Sequence, residues 1–345
     1  MLYFDCDYNN GMHPAILRRL GETNGAYTAT YGYDVFSASA KDRIRQECGD
    51  PSADVFFLAG GTQTNSVVID CLLKPWQGVV SAVTGHINVH EAGAIEYTGH
   101  KVFALPEHDG RISARELEAL VSGIQGDETF EHMSDPALVY ISFPSETGTL
   151  YTASELADIY SVCRKYGLKL FVDGARLGYG LAADGNDVTL KYLAEHCDAF
   201  YIGGTKVGAI CGEAVVFPRG GAPEHFFTRI KQHGALLAKG RLVGLQFDTL
   251  FTDGLYMQIG RHADGLAMRL RDIFSRYGLS EPASSSRTNQ QFFILEHGVI
   301  AALRKEVCFE KWAPADASHD MVRFVTSWAT TPEDVDALEK LIRSL

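Results

Sequence analysis

Ala199-Phe200-Tyr201-Ile202-Gly203-Gly204-Thr205-Lys206 is an apolar, aromatic-rich run that ends in two glycines, a hydroxyl residue and one lysine. A run of this length reads as a buried strand. The glycines stop it where the backbone needs unusual torsion angles or room for a ligand. The lysine then falls at the strand's end, where open α/β sheets keep their ligand sites. A lysine so placed can form a Schiff base with a carbonyl group; on its own, it reads first as a solvated loop residue. The rest of the chain has to decide.

With 345 residues, 46% hydrophobic and 21% charged, the chain is globular, has material for a sizeable core, and is long enough for two domains. A formal net charge of -12 argues against a nucleic-acid partner. An anionic ligand must therefore be held by local donors. The start, Met1-Leu2-Tyr3-Phe4-Asp5, lacks a basic region followed by an apolar core, so no signal peptide is expected. No apolar run approaches the roughly 18 residues that span a bilayer, so no membrane partner is expected either. Cys6, Cys48, Cys71, Cys163, Cys197, Cys211 and Cys308 are scattered and never spaced C-x-x-C. They read as free thiols of a reducing, cytoplasmic setting.

Taken in order, Asn9-Asn10-Gly11 and His13-Pro14 are turn chemistry ahead of a helix at 15–20; 27–34 reads as loop and 39–48 as helix. Val55 to Ala59 is a short strand running into Gly60-Gly61-Thr62 and a helical pattern at 67–73. Strand, glycine turn and helix start together aim free N–H groups and the positive end of a helix dipole at an anion. No Gly-Lys-Ser/Thr follows, so it is not a Walker motif. Strands are expected at 79–83, 101–105, 137–143, 169–172 and 213–217, with helices at 114–124 and 154–166, the latter capped by Thr152. This alternation predicts a mostly parallel sheet with helices on both faces. Residues 223–277 read as mostly helical. A smaller unit follows, with strands at 290–295 and 322–326 and helices at 299–305 and 332–345. The predicted division is an N-terminal segment (1–24), a large α/β domain (25–240), and a helical connection with a small α+β domain (241–345).

Phe171-Val172-Asp173-Gly174-Ala175-Arg176 supplies the second decisive stretch. Its aspartate follows a buried strand at the same sheet edge as Lys206, thirty-three residues before it. A carboxylate there suits a protonated ring nitrogen, because its charge keeps a pyridinium ring an electron sink. Arg176 suits a substrate carboxylate, which a guanidinium grips with two parallel N–H bonds. His86-Ile87-Asn88-Val89-His90-Glu91 has a rival reading as a zinc spacing, but no third ligand is evident and no metal is expected.

The order GGTQTN, HINVHEAGA, VDGARL, GGTK resembles the threonine aldolase and β-eliminating lyase family of fold-type I enzymes that use pyridoxal 5'-phosphate (PLP), and within it the low-specificity L-threonine and phenylserine aldolase branch. FDCDYNNGMHP at 4–14, YGYD at 31–34, SETGTLY at 145–151, KQHGALLAKGR at 231–241 and VRFVTSW at 322–328 extend the resemblance over essentially the full chain. It implies that Lys206 holds PLP as a Schiff base, Asp173 pairs with the pyridine nitrogen, and His86 stacks on the ring. Gly61 and Thr62 would bind the phosphate, with Thr205 beside them. Arg176 and Arg323 would share the substrate carboxylate. Lys231 or Lys239 would reach the phosphate of a neighbouring subunit, since family sites form at a dimer interface within a tetramer.

The activity implied is cleavage of L-threonine or a related β-hydroxy-α-amino acid to glycine and an aldehyde, with His86 the first candidate for the base. The glycines before Lys206 would let the backbone pass beneath the flat cofactor. Two departures concern the substrate side: Cys6-Asp7 stands where the family usually has Ser-Asp, and Glu146 stands in a loop where the bacterial branch carries a histidine. Elimination, racemisation or transamination on the same scaffold is the alternative reading, and a catalytically silent PLP-fold binding protein a more distant one.

Overall fold

The central strands are apolar at successive positions, so both faces of their sheet need cover. The computed structural model, which describes residues 1–345, supplies it with helices. In chain order the strands are β1 (Leu2–Tyr3), β2 (Asp54–Leu58), β3 (Gln77–Ala82), β4 (Val102–Leu105), β5 (Asp135–Ser142), β6 (Lys169–Asp173), β7 (Ala199–Gly203), β8 (Glu213–Phe217), β9 (Gln290–Glu296), β10 (Val307–Cys308), β11 (Glu310–Pro314) and β12 (His319–Val325). Seven form one sheet in the order β2-β8-β7-β6-β5-β3-β4. Successive residues feed opposite faces. Leu170, Val172, Phe200 and Ile202 enter one apolar cluster, while Phe171, Ala199 and Tyr201 enter the other.

The sheet is parallel from β4 through β7, but β8 runs antiparallel to both β7 and β2. The connection at 204–212 explains this, being shorter than the crossover of about a dozen residues that a parallel return needs. It also keeps the residues after β7 next to the start of β8.

Several helices start where their caps dictate. Thr152 and Glu155 form a reciprocal capping box at the helix Ala153–Tyr166, and Gly167 ends it at φ 72°. Thr331 and Asp334 do the same for Pro332–Arg343, whose first turn carries Pro332, Glu333 and Asp334. The helix expected from residue 67 begins at Gly61, directly after β2. The stretch read as mostly helical resolves into Phe226–Gln232, Arg241–Leu250 and Leu255–Arg276.

A three-stranded antiparallel sheet, β11-β12-β9, has its own apolar cluster of Phe4 with residues from Leu266 to Ile342. Helix Leu255–Arg276 is continuous through both cores, with Ile259 and Ala263 in one, and Leu266, Leu270 and Phe274 in the other. Strand β11 escapes a reading by alternation because its residues are half-buried or exposed. No helix is long and apolar enough to cross a membrane.

Candidate active site

β5, β6 and β7 end side by side, and their register decides what meets there. Ser142 lies opposite Asp173, and continuing the β6–β7 pairing past Val172 and Phe200 sets Tyr201 beside Asp173. Tyr140, Asp173 and Tyr201 therefore share one face. Tyr140 and Tyr201 donate to the Asp173 carboxylate at 2.6 and 2.5 Å, and Asn65 Nδ2 and the Ala175 N–H each donate at 2.9 Å. Burial alone pushes this carboxyl's pKa up, but the His86 charge and these donors outweigh it and hold Asp173 below its ordinary value.

Asp173 lines a cavity of about 320 Å³ shared with Gly61, Thr62, His86, Glu146, Arg176, Thr205 and Lys206. Burial first, then the Arg176 charge, lower the Lys206 amine to about 8. Roughly a tenth of it is thus unprotonated at pH 7, where an ordinary lysine has almost none. Opposite, the helix Gly61–Leu72 opens with no side-chain cap from Gly60, so its first N–H groups are free at the cavity wall.

The two glycines before Lys206 have a reason other than the expected one. A Cβ on Gly203 would lie 2.3 Å from the Ala175 carbonyl oxygen, and one on Gly204 would lie 2.7 Å from the Gly212 carbonyl oxygen. Close backbone packing against the turn after β6 and the loop before β8 excludes side chains there. That packing by itself accounts for both glycines, and neither lines the cavity.

His86 heads the short helix His86–Val89, with Nδ1 2.7 Å from Glu91 Oε1, which also accepts from Asn65 at 2.7 Å. Glu91 thus orients the ring, and no three His, Cys, Asp or Glu side chains group as a metal site. Arg176 donates from Nε and Nη2 to Asp7 at 2.8 and 3.0 Å, leaving Nη1 toward the cavity. Burial works against the Asp7 charge, but Arg176 outweighs it and lowers this carboxyl's pKa.

Arg323 is elsewhere. On β12 it donates to Gln290 at 2.8 Å and pairs with Glu310, with its guanidinium carbon 4.9 Å from the Trp312 ring centre. Neither Arg323 nor Cys6, which is half-buried, is part of the cavity wall. Lys231 and Lys239 are exposed away from it, Lys231 lying 4.5 Å over the Tyr31 ring.

Several residues in the wall or directly supporting it escaped the sequence reading. Register arithmetic from Asp173 would have found Tyr140 and Tyr201, and Asn65 lies one turn into the helix Gly61–Leu72. Glu213, at the start of β8, accepts from the Gly204 N–H at 3.1 Å and Thr205 Oγ1 at 2.8 Å, and burial pushes it up to about 8. Only the antiparallel return of β8 brings it under Lys206, and that turn leaves no motif.

Sheet order, lysine and aspartate define a fold-type I PLP-enzyme scaffold. An aspartate aminotransferase of Thermus thermophilus shares the fold with a TM-score of 0.70 at 14% identity, over 100% of this chain and 92% of that one. Residues 19–269 match the family model described as beta-eliminating lyase, and the chain belongs to that family. A threonine aldolase of Leishmania major superposes with a TM-score of 0.96 at 39% identity, over 100% of this chain and 99% of that one. The low specificity L-threonine aldolase of Pseudomonas aeruginosa is 28% identical over 99% of this chain and 96% of its own length.

The family's cofactor is PLP, and the donor set fits it. Asp173 is a buried carboxylate kept ionised, Lys206 is an amine of lowered pKa, and helix N–H groups stand free across the same cavity. Gln63 Oε1 and Asn65 Oδ1 are buried polar atoms without a protein partner in that helix.

Proposed function

We propose that this protein cleaves the Cα–Cβ bond of L-threonine or a related β-hydroxy-α-amino acid, releasing glycine and an aldehyde. The observation that supports it is one cavity wall carrying a weakly basic amine, an ionised buried carboxylate and a guanidinium: Lys206, Asp173 and Arg176. Lys206 would hold PLP covalently, Asp173 its ring nitrogen, His86 its ring face, and Gly61, Thr62 and Thr205 its phosphate. When bound, the cofactor supplies the sink for the electron pair left at Cα.

The chain's own residues do the rest. Arg176 is preorganised by Asp7 and turns Nη1 to the substrate carboxylate; Arg323 joins it from the small sheet. Their grip fixes which bond at Cα is aligned for cleavage. Lys206 Nζ, with its lowered pKa, both accepts and returns a proton near neutral pH, and so delivers the proton that completes glycine. Because Nδ1 of His86 is taken by Glu91, Nε2 is the nitrogen left for proton exchange. Glu146 stands on the substrate's side-chain end; Cys6, outside the cavity wall, acts only through its neighbour Asp7.

The chain divides, on this reading, into a segment at 1–24, a cofactor-holding unit at 25–240, and a connection with a small unit at 241–345. It works in the cytoplasm as a homotetramer built from two dimers. Supporting the dimer, Tyr27, Tyr31 and Tyr33 are exposed aromatics, the last two beside Lys231. Lys231 or Lys239 serves the neighbour's phosphate.

The test is product analysis. PLP-loaded protein given L-threonine is expected to release acetaldehyde and glycine in equal amounts. Ammonia and a keto acid, with no glycine, would overturn the reading in favour of elimination.

A further inference from the structure

Retro-aldol cleavage needs a base at the β-hydroxyl, and the cavity's other carboxylates are already committed. Asp173 accepts four hydrogen bonds, and Glu91 holds Asn65 and His86 on Oε1 while its unpartnered Oε2 is fully buried, out of a substrate's reach. Both oxygens of Glu213 are filled by the Gly204 N–H and Thr205. Glu146 differs. Its Oε1 is fixed by the His86 backbone N–H at 2.9 Å and Ser142 Oγ at 2.7 Å, while Oε2 takes no protein hydrogen bond and is open to the cavity.

The geometry points to Glu146 as the catalytic base that takes the β-hydroxyl proton on Oε2, with Ser142 and Tyr140 passing its protonation state to Asp173. The inference rests on the aldolase reading. The substrate O–H bond breaks as a new O–H bond forms on Glu146. The pair left on that oxygen closes the aldehyde C=O as the Cα–Cβ bond breaks. The pair from that bond stays with Cα, where a proton completes glycine.

Ser142 has one hydroxyl proton and two acceptors: Glu146 Oε1 at 2.7 Å and Tyr140 Oη at 3.3 Å. While Glu146 is ionised, the proton points to it. Once Oε2 is protonated, Oε1 is a neutral carbonyl oxygen that holds the Ser142 proton less strongly, so Ser142 shifts toward Tyr140, whose own bond to Asp173 at 2.6 Å is thereby strengthened. Proton uptake at the wall thus coincides with firmer support of the carboxylate facing the ring nitrogen. The groups facing Glu146 are His86 and Glu91, Tyr140 on β5, Tyr151 and Asp173, with Arg176 and Lys206 across the cavity. Burial raises the Glu146 carboxyl above its ordinary value; the Ser142 and His86 contacts lower it in part, and Asp173 raises it further. A raised carboxyl is better matched to proton transfer near neutrality.

The experiment combines infrared titration of cofactor-free protein with kinetics of PLP-loaded wild type, Glu146→Gln, Ser142→Ala and His86→Asn. The protonated-carboxyl signal that titrates above the ordinary range is expected to lose one carboxyl's share in Glu146→Gln, while the share from Glu213 and Asp264 remains. The rate of threonine cleavage relative to glycine Cα–H exchange is expected to fall about 100-fold or more in Glu146→Gln, and the acidic limb of the kcat–pH profile to disappear. In Ser142→Ala the same limb moves to higher pH, because a hydrogen bond that favours the ionised carboxyl is lost; this variant decides the matter if Glu146→Gln does not fold. An unmoved limb in Ser142→Ala, or one that survives in Glu146→Gln and vanishes in His86→Asn, would overturn the assignment. Failure of the aldolase reading looks different: wild type itself releases no aldehyde.

Discussion

Arg176 and Arg323 were expected to share one carboxylate, yet they belong to unlike surroundings. Arg176 sits at the end of the large sheet, its side chain 13% exposed, locked to an Asp7 side chain that is fully buried. Arg323 sits on the small sheet, itself buried but tied to Glu310, whose side chain is 42% exposed. The first is part of a preformed floor that holds its shape whether or not substrate is present. The second is held by a pair that water can replace, so it can be redirected at small cost. Rigidity is built into the large sheet, while adjustability lies in the small one.

Substitutions break that contrast in order of size. Arg176→Ala strands Asp7 in the interior, and about 3–5 kcal/mol of stability is expected to go with it. Denaturant unfolding reads that loss, and an unaffected midpoint would mean that the floor is not preformed. Glu213→Gln tests the same floor through pH. The folded pKa of about 8 lies above the ordinary 4.5, so the folded chain retains a proton that the unfolded chain releases. Wild-type stability associated with Glu213 is therefore full below pH 4.5 and lost as pH rises to about 8. Glutamine mimics the protonated acid, so the variant should gain on wild type across that window, by on the order of a few kcal/mol at its top. Melting curves at pH 5 and pH 8 decide it; a gap that does not widen would refute it.

Arg323→Ala should lower the melting temperature less than Arg176→Ala does, since it strands the neutral Gln290 rather than a charge, and raise KM for threonine by about tenfold or more, the worth of a charge-assisted contact of roughly 1.5–3 kcal/mol. An unchanged KM would place the substrate carboxylate on Arg176 alone. Smallest of all, Glu310→Gln frees Arg323 from a partly exposed pair worth about 0.2–1 kcal/mol, so KM should fall by no more than about fivefold. A rise in KM would show that Glu310 positions Arg323 rather than competing for it.

What was legible in the sequence follows the same division. Asp173, Arg176, Lys206 and the glycine turn after β2 announce themselves because each directly follows a strand, and their spacing needs no tertiary knowledge. Tyr140 and Tyr201 look like ordinary core aromatics until strand register sets them against Asp173. Glu213 depends on the reversal of β8, and the partners of Arg176 and Arg323 depend on contacts between residues far apart in the chain: Asp7 with Arg176, and Gln290 with Arg323. Gly203 and Gly204 were legible as special positions, but the backbone that they admit belongs to neighbouring turns.

The central claim is that the cavity where β5, β6 and β7 end holds PLP on Lys206. Reducing the PLP-loaded protein with borohydride and mapping its peptides by mass spectrometry tests this most directly. One pyridoxyl group per chain on Lys206, absent in Lys206→Ala, is the expected result. A label on Lys231 or Lys239, or full labelling that persists in Lys206→Ala, would contradict it.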